Sequence, residues 1–142
     1  MTMVSRLKRE SSGAATVEFA LLGPIVITMM LGVLQMGVAM WSYNSLRSVA
    51  SDTARYAVTN YQAVNKISAS SISAQATAIA TNTPYGLTAD NLSITVTTAA
   101  TQRVSGATEM TLTMTYDVPT MASIVGLGSI RLNYSRPIFL LS

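Results

Sequence analysis

From residue 19 to residue 46 the chain carries no charged side chain. Few environments accept such a stretch. About 20 apolar residues, rising about 1.5 Å each as a helix, cross the hydrocarbon core of a bilayer. The apolar run here extends from residue 13 to about residue 41, and Glu18 is its one charge. A secretory signal has a shorter apolar region, roughly 7–15 residues, followed by a small-residue cleavage site. The nearest such pattern, Gly37-Val38-Ala39, is followed by bulky Met40 and Trp41. The run therefore reads as a membrane anchor over residues 14–42, with a cleaved signal as the second reading. Trp41 and Tyr43 fall where interfacial aromatic side chains lie, and Pro24 falls mid-span, where a kink is tolerated. Arg6, Lys8 and Arg9 precede the run together with Glu10, whereas Arg47 and Arg55 follow it together with Asp52. This small bias points to a cytoplasmic N-terminus, with the rest of the chain outside the cytoplasm.

The helical pattern outlasts the apolar run. Leu46, Val49, Ala50, Ala54, Ala57, Tyr61 and Val64 recur at steps of three and four, with Ser48, Ser51, Asp52, Arg55, Thr59 and Gln62 opposite. This predicts one long helix, apolar all round and then amphipathic, with Asp52 and Arg55 as an i,i+3 ion pair. A second helix is expected around Ile67, Ile72, Ala76, Ile79 and Ala80, ended by Pro84-Tyr85-Gly86. The period then becomes two. Leu92, Ile94 and Val96 form one alternating row; Met110, Leu112, Met114, Tyr116 and Val118 another; Ile130, Leu132 and Tyr134 a third. These are three half-buried strands, with a hairpin loop around Gly106 and a longer link over residues 119–128 that has room for a helical turn. The expected fold is α+β: a long helix, a second helix and a small antiparallel sheet whose apolar face the helices cover. The domains expected are a basic leader over 1–13, a transmembrane helix over 14–42 and an extracytoplasmic unit over 43–142.

Composition narrows the chemistry. Charged residues make up 11% of the chain, against about 25% in soluble proteins. Mean hydropathy is +0.39. Ser and Thr supply 28 of the residues from 43 to 142, so hydroxyls carry much of the surface polarity. The net charge is only +3 and the basic residues are scattered, so no nucleic-acid partner is expected. Cys and His are both absent, which removes thiol nucleophiles, the Ser-His-Asp triad and nearly all zinc sites. Beyond the apolar run the acids are Asp52, Asp90, Glu109 and Asp117, in no metal or glycosidase spacing. Glu109 and Asp117 read as exposed strand charges that discourage edge pairing. No enzyme activity, metal or cofactor is expected.

Glu18 stands apart. A carboxylate inside an apolar span is costly, about 2.5–3.5 kcal/mol at the bilayer centre and less near the interface. Gly13 lies just ahead of the span. If the chain were cut after Gly13, the new amine of Ala14 would lie one helical turn before Glu18, which could neutralise it or the amine of a neighbouring chain. The negative charge also suits a helix N-terminus. Without such a cut, Glu18 is an interfacial or protonated residue.

The segment Gly13-Ala14-Ala15-Thr16-Val17-Glu18-Phe19-Ala20-Leu21 resembles the processing region of type IV prepilins, and specifically the TadE-like pseudopilins of Tad (tight adherence) pilus systems. The resemblance continues through Pro24, Gly37, Trp41 or Tyr43, and Ala54-Arg55. It implies cleavage between Gly13 and Ala14 by a prepilin peptidase of the inner membrane, with Glu18 and Phe19 as processing or assembly determinants. It also implies a periplasmic C-terminal domain, partners among other pilins or pseudopilins and inner-membrane assembly proteins, and a role as a minor pilin-like component in assembling a Tad-type adhesion pilus. Thr16 with Ala20 and Thr28 with Gly32 are small residues four apart that permit close helix approach in the lipid bilayer; Pro24 and Gly37 complete the expected packing set. TadF-like and TadG-like proteins share the N-terminal pattern; the length points away from TadG-like forms, leaving TadE-like first and TadF-like second. From another class, a stalked envelope protein that binds a ligand or surface without entering a pilus shares the topology.

Overall fold

The computed structural model describes residues 11–61, 66–120 and 128–141. The fold is α+β, with one long helix, a second helix and a three-stranded antiparallel sheet. Helix α1 spans Ser11–Asn60 and α2 spans Ala69–Thr81. A single 3-10 turn, Ala89–Asn91, leads into β1 (Leu92–Thr98), followed by β2 (Ala107–Val118) and β3 (Ile130–Leu141). The sheet order is β1-β2-β3. Residues 1–10 of the expected leader, Gln62 and Val64 of the expected helical row, and most of the 119–128 link lie outside the described residues.

Helix α1 is unbroken through Pro24. Proline supplies no N–H to the carbonyl four residues before it and crowds the preceding turn; one turn further on, the Thr28 hydroxyl donates to the Pro24 carbonyl at 2.7 Å. From Gly13 to Leu34 the helix is exposed except at Gly23, Leu31 and Gly32, which are half-buried. These 22 residues span about 33 Å, close to the hydrocarbon thickness of about 30 Å. Engagement with the rest of the fold starts at Gln35, ahead of residue 43. Its side-chain amide donates to the Pro119 carbonyl at 3.3 Å. Ala39, Ser42, Ser45, Leu46, Val49, Ala50, Thr53 and Ala57 then form the buried face of the helix. Trp41 remains exposed, whereas Tyr43 packs edge-to-face on Tyr134 of β3 at 6.1 Å between ring centres.

Helix α2 starts at a capping serine: the Ser68 hydroxyl accepts the Ser71 N–H at 3.1 Å. It ends at Asn82, and Gly86 turns the chain at φ +58°, a conformation that glycine adopts without a Cβ penalty. Leu87 then re-enters the core, its N–H donating to the Ala80 carbonyl at 2.9 Å. Ile72, Ala76 and Ala80 form the buried face of α2.

The inward row of central strand β2, Met110, Leu112, Met114, Tyr116 and Val118, packs under both helices, with α1 beside β3 and α2 beside β1. Burying a side chain such as Leu112 contributes about 1.5–3 kcal/mol. The outward row is polar and in register across the sheet: Ser93 faces Thr115 and Asn133, and Thr95 faces Thr113 and Ser135. Strand β3 runs to Leu141, beyond the expected Tyr134, because Pro137 is tolerated on an edge strand.

The Thr53 hydroxyl is fully buried and has no hydrogen-bond partner among the described residues. An unsatisfied buried hydroxyl costs about 1–3 kcal/mol. Thr53→Val, which keeps the shape and removes the polar atom, is expected to stabilise the protein by about 1 kcal/mol, read from thermal unfolding of the full chain in lipid nanodiscs.

Candidate functional site: the N-terminal segment and the groove above it

Every residue expected to matter for processing or helix packing lies on α1. Gly13, Ala14, Thr16, Glu18, Phe19, Ala20, Pro24, Thr28 and Gly37 are exposed, and Gly32 is half-buried. Thr16, Ala20, Pro24, Thr28 and Gly32 follow one another at steps of four, so they form one slowly winding ridge of short side chains. A Cβ added at Gly13, Gly32 or Gly37 would meet no atom within 4 Å, so the space beside these three positions is open. Phe19, 77% exposed, leans one turn forward, where its ring would be 3.9 Å from a Cβ at Gly23. The pairing of Phe19 with Gly23 has a sequence signal, an i,i+4 aromatic–glycine spacing. Val26, Met29, Met30, Val33 and Leu34 form a wholly apolar surface on the helix.

Two acids beyond the helix depart from their expected roles. Glu109 is 4% exposed. It lies on the outward row of the central strand, where the loop before β2 closes over it: the Arg103 Nε donates to both carboxylate oxygens at 2.8 and 3.0 Å, and the Arg103 Nη2 also donates. The Arg103 guanidinium lies 5.4 Å from the Phe139 ring centre, and Phe139 is the register partner of Glu109. Asp117 pairs with Arg131 across the β2–β3 ladder at 2.8 Å. Neither acid guards an edge, because β2 is central. The facing guanidinium holds each carboxyl below the usual range, chiefly through its hydrogen bonds. A carboxyl that binds its proton less tightly when folded stabilises the fold above the ordinary carboxylate range, near pH 4–4.5. That contribution is lost as pH falls through the folded-state pKa. Stability of the full chain is therefore expected to decline below about pH 4.5, and Glu109→Gln to flatten part of the decline, as followed by denaturant unfolding from pH 7 to pH 3.

Asp52 does not pair with Arg55. Its carboxylate accepts the Tyr85 hydroxyl at 2.8 Å, which ties α1 to the turn after α2. That hydrogen bond, with burial and the charge of Asp52, raises the Tyr85 phenol above its usual range. Next to it a groove of about 580 Å³ opens between α1 and β3, bordered by Arg47, Ser48, Ser51, Asp52, Tyr85 and Arg136. The sequence does hold a signal for it. Arg136 interrupts the inward row of Ile130, Leu132, Tyr134, Ile138 and Leu140. No three metal-ligating side chains converge among the described residues.

Residues 13–55 match the family model described as TadE-like protein. The chain carries a TadE-like segment. It coincides with α1 from the start of the exposed apolar stretch through all of the buried face but Ala57, so the likeness covers the whole exposed stretch and most of the helix face that packs in the domain. TadE-like proteins belong to Tad pilus systems, and the match associates the chain with pilus components of that kind. The TadE-like segment lies within the one described helix long and apolar enough to cross a membrane, with a mean hydropathy of 2.1 over its most apolar window. No curated protein and no solved structure matched the chain.

Proposed function

We propose that the protein is a pseudopilin of a Tad-type pilus: anchored in the inner membrane, trimmed by a prepilin peptidase between Gly13 and Ala14, and used in pilus assembly without enzymatic activity. The observation that carries this reading is Glu18, one turn beyond Ala14, at the start of a TadE-like apolar helix of bilayer length. A plain anchor gains nothing from a carboxylate at that depth. A trimmed chain has an ammonium there for the carboxylate to neutralise. The small-residue ridge and the apolar face around Met30 supply close contact to neighbouring helices, which association in lipid requires. In this reading the N-terminus is cytoplasmic and the helix-and-sheet domain is periplasmic.

The mature chain purified from membranes is expected to begin at Ala14, as intact mass and N-terminal sequencing would show. A mature chain that retains Gly13, or one that begins near Met40, would refute the pseudopilin reading.

A further inference from the structure

We infer that the groove between α1 and β3 is an oxyanion site that receives the carboxylates of a protein segment. Two arginines border it, Arg47 from the helix and Arg136 from the strand. Neither is in an ion pair among the described residues, where the two ion pairs are Arg103 with Glu109 and Arg131 with Asp117. Arg136 instead donates to the Ser51 hydroxyl at 2.9 Å. The one acid in the groove, Asp52, already accepts the Tyr85 hydroxyl. The groove thus carries a net positive charge, flanked by the hydroxyls of Ser48 and Ser51. Guanidinium groups take carboxylate and phosphate oxygens by paired, charge-assisted hydrogen bonds.

Placement supports a bound ligand over a solvated charge. Arg136 occupies an inward position on β3, where a leucine or isoleucine would extend the core of its row. A local choice that conflicts with an otherwise consistent pattern marks a functional position. The basic surface also continues. Arg55 follows Arg47 at two steps of four on α1, and a second groove lined by Ser51, Arg55 and Arg136 adjoins the first.

Height separates the two sources of oxyanions. Ser48 lies six residues beyond residue 42, where the expected transmembrane helix ends, which is about 9 Å along the helix axis, and Ser51 lies about 14 Å beyond it. The headgroup layer of one leaflet adds only about 5–8 Å to the hydrocarbon core. Lipid phosphates therefore lie below the groove, and a protein segment at the level of the domain reaches it. The choice of a protein occupant rests on the pilus-assembly reading; the groove itself does not.

The test uses the full chain in phosphatidylcholine nanodiscs, titrated with an acetylated, amidated triglutamate peptide while the arginine Nε–H signals are followed by NMR. Saturable shifts at Arg47 and Arg136 are expected, with none from the triglutamine peptide. Arg47 is exposed, so Arg47→Gln should fold normally; with Arg136→Gln it should weaken binding at least tenfold, whereas Arg131→Gln should not change it. No saturable shift, or a shift indifferent to Arg47→Gln, overturns the site. Tighter binding of inorganic phosphate than of the peptide overturns the carboxylate assignment. Occupancy of the same arginines by phosphatidylglycerol in the disc, without peptide, assigns the groove to lipid and overturns the protein partner. Peptide binding by a chain whose mature N-terminus is not Ala14 would retire the pseudopilin reading and leave the groove standing.

Discussion

Met114→Asp is expected to unfold the helix-and-sheet domain, whereas Thr113→Asp leaves it folded. The two residues are neighbours on the central strand, and side chains on a strand alternate between faces. Met114 is fully buried, in register with Ile94 on one side and Tyr134 on the other. Among the described residues, a carboxylate there has no cation within the core to meet it. An uncompensated buried charge costs about 3–5 kcal/mol, which is a large share of the roughly 5–15 kcal/mol that holds a domain together. Thr113 lies on the outward face between Thr95 and Ser135, where water reaches it. Its substitution is expected to cost under about 1 kcal/mol, as surface changes away from special features do. Amide hydrogen exchange of the full chain in nanodiscs separates the outcomes. Protection lost through all three strands in Met114→Asp and retained in Thr113→Asp is the expected result. Equal protection in the two variants would show that β2 has no buried face.

Glu18→Gln is expected to leave insertion and most processing intact and to abolish association with pilin-like partners. The amide has nearly the shape of the acid, so changes in packing are small. Only the charge is lost. In a chain that begins at Ala14, that charge faces an ammonium one turn away, in its own helix or a neighbour's. Leaving an ammonium unpaired in a poorly solvated site costs about 3–5 kcal/mol in the least favourable settings. Helices in lipid have no large hydrophobic force to offset such a loss. Site-directed crosslinking in membranes, with a count of surface pili, is the measurement. Normal crosslinks and normal piliation in the glutamine variant would reduce Glu18 to a cleavage determinant or a bystander.

The architecture was legible where a pattern repeats. The three alternating rows became β1, β2 and β3, and the helical row from Leu46 to Ala57 became part of the buried face of α1, because burial on one face imposes a fixed period. What escaped was set by contacts between distant residues. Strand β3 looked finished at Tyr134 because Arg136 and Pro137 break its alternation; edge geometry and a hydroxyl on α1 accommodate them. Glu109 looked exposed because its cover, Arg103, comes from a loop with no periodicity to read. Asp52 had Arg55 nearby in sequence, yet the Tyr85 hydroxyl, brought in by the turn after α2, is the partner it takes; exposed i,i+3 pairs are worth only about 0.2–0.5 kcal/mol. Of the candidate site, the Gly13, Ala14 and Glu18 cluster was readable as a local motif. The arginine groove was not, since its helix and strand sides meet through residues 85 positions apart.

The unbroken course of α1 has a mechanical consequence. The sheet is clasped to the same rod that enters the apolar stretch, from Gln35 upward, with no break in the helix between them. Displacement of the lower half along its axis therefore lifts the whole domain by the same distance, and rotation turns the domain through the same angle. Movement of the helix at its base is therefore passed on to the sheet, and the outer face of the sheet points wherever the base is turned.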